Sequence, residues 1–190
     1  MTYKFNVTAA IVLSAILIAG SSAPVYSAKS KGSQIQTQRL VESGAAKAPL
    51  GFQIFCLTNR SHCRGGGSSS VAMTDALLGK LNSVNRSVNR AIRPRRDRGD
   101  VWSVNVKSGD CEDYVLTKRA RLIAAGVSAG ALRIAYAKTR SGISHAVLVV
   151  RTNKGDFVLD NLSRKIKQWN RTGLKFIAIS GSNPRRWSSV

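Results

Sequence analysis

The sequence predicts an α+β fold, helices first and an antiparallel sheet packed on them, and three observations carry that expectation. Between Thr74 and Ile92 the apolar residues Leu77, Leu81, Val84, Val88 and Ile92 recur at helical spacing, and Pro94 stops the pattern. A second helical segment runs from Asp110 to about Gly126. Beyond it the period changes from 3.6 to 2. Leu132, Ile134 and Tyr136 alternate with Arg133, Ala135 and Ala137, and His145 to Thr152 is an almost continuous apolar, β-branched run that suits a strand central to its sheet.

Taken in order, the chain opens on an export signal expected over residues 1–28. Lys4 precedes an apolar run from about Val7 to Ala19, with small residues through Ser27 and Ala28. The run falls short of the roughly 20 residues that a membrane span needs, and no second hydrophobic segment follows, so a soluble exported protein without a transmembrane segment in its mature chain is expected. Cleavage would leave roughly 160 residues, enough for one core. Residues 29–48, rich in Lys, Ser, Gln, Gly and Ala, read as a flexible arm, and the domain is expected over 49–190. Gly65 to Ser70 reads as a surface loop; it lacks the Gly-Lys-Ser/Thr ending of a phosphate cradle. The Asn-Arg pairs at 85–86 and 89–90 read as the solvated face of the first helix.

Export makes the three cysteines informative. Cys56 and Cys63 lie in a polar, turn-rich loop, and an oxidising compartment favours pairing them. His62 beside them would otherwise suggest zinc, but no fourth ligand is spaced nearby. Cys111 is left over.

A formal net charge of +21 raises nucleic acid as a partner. The Lys and Arg residues are spread along the chain, densest from Arg90 to Arg98, and aromatics are too few for a stacking platform. Nucleic acid is therefore not expected. A solvated basic surface facing anionic lipid, polysaccharide or an acidic substrate fits better.

The chain's most unusual stretch is Gly109-Asp110-Cys111-Glu112-Asp113-Tyr114. Three of its nine acidic residues fall within four positions, around a cysteine. Asp110 is placed to cap the helix and Asp113 stands three residues on, while Gly126 sits where a left-handed cap residue belongs. Cys111 then falls in the first turn, where amides and dipole favour a thiolate, and the flanking carboxylates oppose it. A cysteine nucleophile needs a base within reach and a group that orients the base. With only two histidines and His62 in the disulfide loop, Cys111 with His145 is the one attractive pair. The turn 152–155 pairs Arg151 with Asp156 and sets His145 and Asp160 on one face of the ribbon, diagonally displaced.

Gly109 to Tyr114, followed by Thr117-Lys118-Arg119, Leu122, Leu132-Arg133, Ser144 to Val150 and Val158 to Leu162, resembles the bacterial transglutaminase-like cysteine proteinases, from about Leu50 to the C-terminus. The resemblance implies a papain/transglutaminase-like fold in which Cys111 is the nucleophile, His145 the base and Asp160 the orienter. It implies an exported, periplasmic or secreted endopeptidase acting on a protein substrate, an adhesin or another cell-surface protein in relatives that release cells from biofilm, with a membrane-associated regulator as a further partner. It also implies Ca²⁺ held by Asp110, Glu112 and Asp113, whose bound charge would offset the carboxylates' effect on the thiol. Trp102, nine residues before Cys111, is placed either to offer an indole N–H to an oxyanion or to anchor the core. Acyl transfer to an amine on the same triad, and a non-catalytic basic binding module, remain as alternatives.

Overall fold

The computed structural model describes residues 1–2, 38–96 and 99–190. The expected export signal and the first part of the arm lie outside the described residues. The described residues from Gln38 to Val190 belong to one compact unit. Among the described residues, no helix is long and apolar enough to cross a membrane.

Three helices precede most of the sheet: α1 (Leu50–Thr58), α2 (Asp75–Ala91) and α3 (Cys111–Ala124). Helix α2 begins where Thr74 accepts a hydrogen bond from the Leu77 amide at 3.1 Å. Helix α3 ends as its sequence predicts. Gly126 has φ +83°, its amide donates to Ile123, and the Val127 amide donates to Leu122, closing the left-handed cap under two buried side chains.

The strands are β1 (Ser43–Ala46), the short parallel pair β2 (Arg93–Pro94) and β3 (Ser108–Gly109), then β4 (Leu132–Lys138), β5 (Ser144–Thr152), β6 (Gly155–Leu159), β7 (Lys167–Gln168), β8 (Lys175–Ser180) and β9 (Trp187–Ser189). Among the described residues seven of them form one antiparallel sheet in the order β1-β9-β8-β4-β5-β6-β7. The hairpin register is the expected one, Arg151 opposite Asp156, with Thr152 opposite Gly155 at the turn.

Both faces of the sheet are apolar, which accounts for the unbroken hydrophobic run in β5. Ile134, Leu148, Val150 and Leu159 pack with Phe52, Val115, Leu116 and Leu122 on the helix side. Ala135, Val147, Val149, Val158 and Ile179 pack on the other side with Leu40 and Phe176.

The arm expected over 29–48 differs in its described part. Ser43–Ala46 is an edge strand paired with β9, and Leu40 is buried. Asp156, fully buried, accepts the Leu40 amide at 3.0 Å and is gripped by Arg151, which also reaches Glu42 at 2.7 Å. A composition suited to disorder is overridden because one apolar side chain and one acid find buried partners far along the chain.

The Asn residues of α2 are a second correction. Asn85 is fully buried, and its Nδ2 donates to the Ser163 carbonyl at 3.1 Å; Asn89 donates to the Asp160 carbonyl at 3.0 Å. This helix therefore turns a polar stripe inward, against the loop that follows β6.

Candidate active site

Cys111 is the first residue of α3, with Asp110 at its cap position. The glycine before them is required. A Cβ on Gly109 would stand 2.0 Å from Asp113 Oδ2, so the inward fold of that carboxylate admits no larger residue. Asp113 Oδ1 accepts the Ser103 amide at 2.7 Å, which ties the helix start to the preceding loop.

Cys111 and His145 line one cavity of about 560 Å³, together with Trp102, Glu112, Tyr136 and Trp187. His145 lies one residue inside β5 and is buried. Its Nε2 stands 2.8 Å from Asp160 Oδ1. Asp160 follows the last residue of β6, and its Oδ1 also accepts the Leu162 amide at 2.9 Å, so a turn aims the carboxylate. The diagonal gap left by the register closes because the chain departs from the ladder after Leu159.

Burial pushes the Asp160 carboxyl up, but the hydrogen bond and charge of His145, the Leu162 amide and the charge of Lys118 outweigh it, and the group sits below its ordinary value. An ionised Asp160 accepts, so Nε2 carries the proton and Nδ1 is the nitrogen left to act as a base.

The thiol is in a different state. Its S–H donates to Glu112 Oε2 at 2.8 Å, and among the described residues no hydrogen bond joins it to His145. Burial, then the charge and hydrogen bond of Glu112, push Cys111 well above the ordinary thiol value, with Asp110 adding to them and the Ala146 amide opposing. In this arrangement Cys111 rests as a neutral thiol.

Of the two roles expected for Trp102, the structure takes the anchoring one. The indole N–H of Trp102 donates to Asp100 Oδ1 at 2.7 Å, and its ring meets Phe52 edge-on at 5.2 Å. It is an anchor, with its N–H committed away from an oxyanion. Asp100 also accepts the Gly51 amide at 2.6 Å, which fixes the start of α1. The acids around Cys111 are placed differently. Among the described residues no three His, Cys, Asp or Glu side chains gather to hold a metal ion. Glu112 faces Cys111 and Asp113 is buried, because the first helical turn points consecutive side chains in different directions.

Cys56 and Cys63 are bonded, and Cys111 is the free cysteine. The helix that carries Cys111 also buries two cations to which the sequence reading gave no role, Lys118 and Arg119. The signal was available, since Cys111, Val115, Lys118 and Leu122 follow the spacing of a core-facing stripe.

A cysteine at the start of a helix packed on an antiparallel sheet, with an Asp-paired His lining the same cavity, defines a cysteine-proteinase site on a transglutaminase-like α+β fold. The chain belongs to the bacterial transglutaminase-like cysteine proteinases, whose family model matches residues 42–190. Among solved structures it is similar to calcium-bound Legionella pneumophila LapG, at 29% identity and TM-score 0.50 over 54% of this chain and 64% of that one. It is likewise similar to EGTA-treated LapG from the same organism, at 28% identity and TM-score 0.53 over 60% of this chain and 68% of that one. The chain thus spans a little under two thirds of the calcium-bound relative. No curated protein matches it in sequence.

Proposed function

We propose that this chain is an exported, periplasmic cysteine endopeptidase that cleaves a protein substrate, such as a surface adhesin, with Cys111 as nucleophile, His145 as base and Asp160 as orienter. The observation that carries this reading is His145, which lines the same cavity as Cys111 and pairs with Asp160 at 2.8 Å. His145 Nδ1 takes the thiol proton as Cys111 Sγ bonds to the peptide carbonyl carbon. The imidazolium returns that proton to the leaving amine as the C–N bond breaks, and water then hydrolyses the thioester with His145 again as base. Asp160 holds the imidazole in the tautomer that keeps Nδ1 free.

Ca²⁺ enters this proposal through the calcium-bound relative. Glu112, half-buried on the cavity wall, and Asp110, half-buried at the helix cap, are hard-oxygen donors within reach of an ion, while Asp113 is only 2% exposed. A bound Ca²⁺ would supply positive charge that offsets these carboxylates. Export is supported by the leader-like N-terminus and the disulfide.

The test compares surface proteins of cells carrying the wild-type chain with those carrying Cys111→Ala, by mass spectrometry. Discrete fragments that need Cys111 are expected, and identical fragment patterns would overturn the reading.

A further inference from the structure

Lys118 is the most anomalous side chain in the molecule. It is fully buried, its Nζ has no hydrogen-bond partner among the described residues, and its nearest aromatic contact is the Tyr114 ring, 5.9 Å from Nζ to centroid. A lone ammonium is costly to bury, and natural proteins keep one where its charge acts on something. The anionic charge that bears on it is Asp160. A polar layer joins α2 to the loop that carries Asp160, through Asn85 and Asn89 and the backbone from Asp160 to Ser163. The two Asn side chains donate to the Asp160 and Ser163 carbonyls, so they fix the loop that aims Asp160. The side-chain oxygens of Asn85, Asn89 and Asn161 are also buried without hydrogen-bond partners among the described residues.

We propose that Lys118 is a positioning residue for the His145–Asp160 pair: its buried ammonium bears on Asp160 through charge and favours the ionised carboxylate that His145 faces, on a loop that Asn85 and Asn89 hold in place. One physical consequence follows. Where Lys118 is protonated, its positive charge opposes a proton on Asp160, adding to the effects of His145 and the Leu162 amide, and so supports the carboxylate's acceptor role toward Nε2. The groups around Lys118 that carry or can acquire charge are Asp160, with His145 beyond it, and Tyr114 on its own helix. Arg119 points elsewhere and is held by carbonyl oxygens.

The inference rests on the peptidase reading for its purpose but not for its test. Lys118→Met, close in volume and uncharged, is compared with wild type, both carrying Cys111→Ala so that no turnover is involved. Nuclear magnetic resonance then follows the Asp160 carboxyl carbon and the His145 Nε2 proton. Removing Lys118 should raise the proton affinity of Asp160 about tenfold and move the Nε2 proton resonance upfield. In the chain with Cys111 intact, the acylation rate by a peptidyl electrophile should fall at least tenfold while saturation by the same probe is little changed.

As a second arm, Asp160→Asn in otherwise wild-type chain should lower the proton affinity of Lys118 at least tenfold, read from its Nζ resonance. This measurement is independent of whether Lys118→Met folds. An unchanged Asp160 resonance in Lys118→Met, or an unchanged Lys118 affinity in Asp160→Asn, overturns the proposal and leaves Lys118 as packing. If both resonances move but Cys111 never acylates, the electrostatic arrangement stands and the peptidase reading falls instead.

Discussion

Lys118 and Arg119 are neighbours on α3, both buried, and their surroundings are opposite. Arg119 makes four hydrogen bonds to backbone carbonyls, Nη1 to His62 at 2.7 Å, Nη2 to Arg64 at 3.1 Å and Ala129 at 3.5 Å, and Nε to Leu132 at 3.3 Å. It pins the helix to the disulfide loop and to the start of β4. Among the described residues Lys118 makes none, and the charge that favours its protonated form is that of Asp160. Burial lowers both, Arg119 to about 10 and Lys118 to about 7. A planar guanidinium with five donors can satisfy the ends of several loops at once, whereas an ammonium on a flexible stem acts as a point charge. The satisfied cation is scaffold. The unsatisfied one bears through charge on the candidate active site, where local rules are expected to fail.

Four experiments break or sharpen this contrast, in descending order of expected effect. Arg119→Met removes a donor from each of four carbonyls and should destabilise the fold by about 4 kcal/mol, a fall in melting temperature of roughly 10 °C, with Cys111 reactivity per folded molecule retained. A stable Arg119→Met protein would erase the distinction.

Lys118 should instead make stability depend on pH. Its value in the folded chain is depressed to about 7 from 10.5, so between those limits the unfolded chain binds more protons. Stability should therefore rise with pH from about 7 towards 10.5 by something on the order of 3 kcal/mol and be lost again as pH falls, and Lys118→Met should flatten that slope. Parallel melting curves for the two proteins across this range would contradict the depressed value.

The Cys56–Cys63 bond closes the loop whose carbonyls Arg119 holds. Reduction should cost about 2 kcal/mol in wild type. The penalty should be smaller in Arg119→Met, where that loop is already loosened, and calorimetry of the two-by-two set reads the coupling. Strict additivity would separate the two anchors.

The smallest effect concerns the other end of the same helix. Burial and then Glu112 hold the Cys111 thiol protonated, so Ca²⁺ offsetting the carboxylate should speed iodoacetamide labelling of Cys111 by about tenfold over an EGTA-treated sample. Glu112→Gln should reproduce part of that gain without metal. Equal labelling rates with Ca²⁺ and EGTA would remove the ion from the site.

Much of this molecule was legible in its sequence, because the signals that set it are local. The apolar period of α2, the Gly126 cap of α3, the alternation in β4 and the Arg151–Asp156 pairing that fixes the hairpin register all act over a few residues. The spacing of Cys56 and Cys63 in an export context is of the same kind, as is the elimination that left His145 as the base candidate for Cys111. Tertiary structure alone decided the rest, because burial and long-range pairing are properties of the assembled chain. Residues around Leu40 and Ser43 read as a disordered arm until Asp156 and β9 supply partners more than 100 positions away. Trp102 could have served an oxyanion or the core until Asp100 took its N–H. The acids at 112 and 113 look like one cluster in the sequence, yet Glu112 accepts the Cys111 thiol while Asp113 is buried and accepts the Ser103 amide. Asn85 and Asn89 read as solvent-facing, and Lys118 as one basic residue among thirty. Only the packing of α2, α3 and the loop after β6 against one another turned these side chains inward.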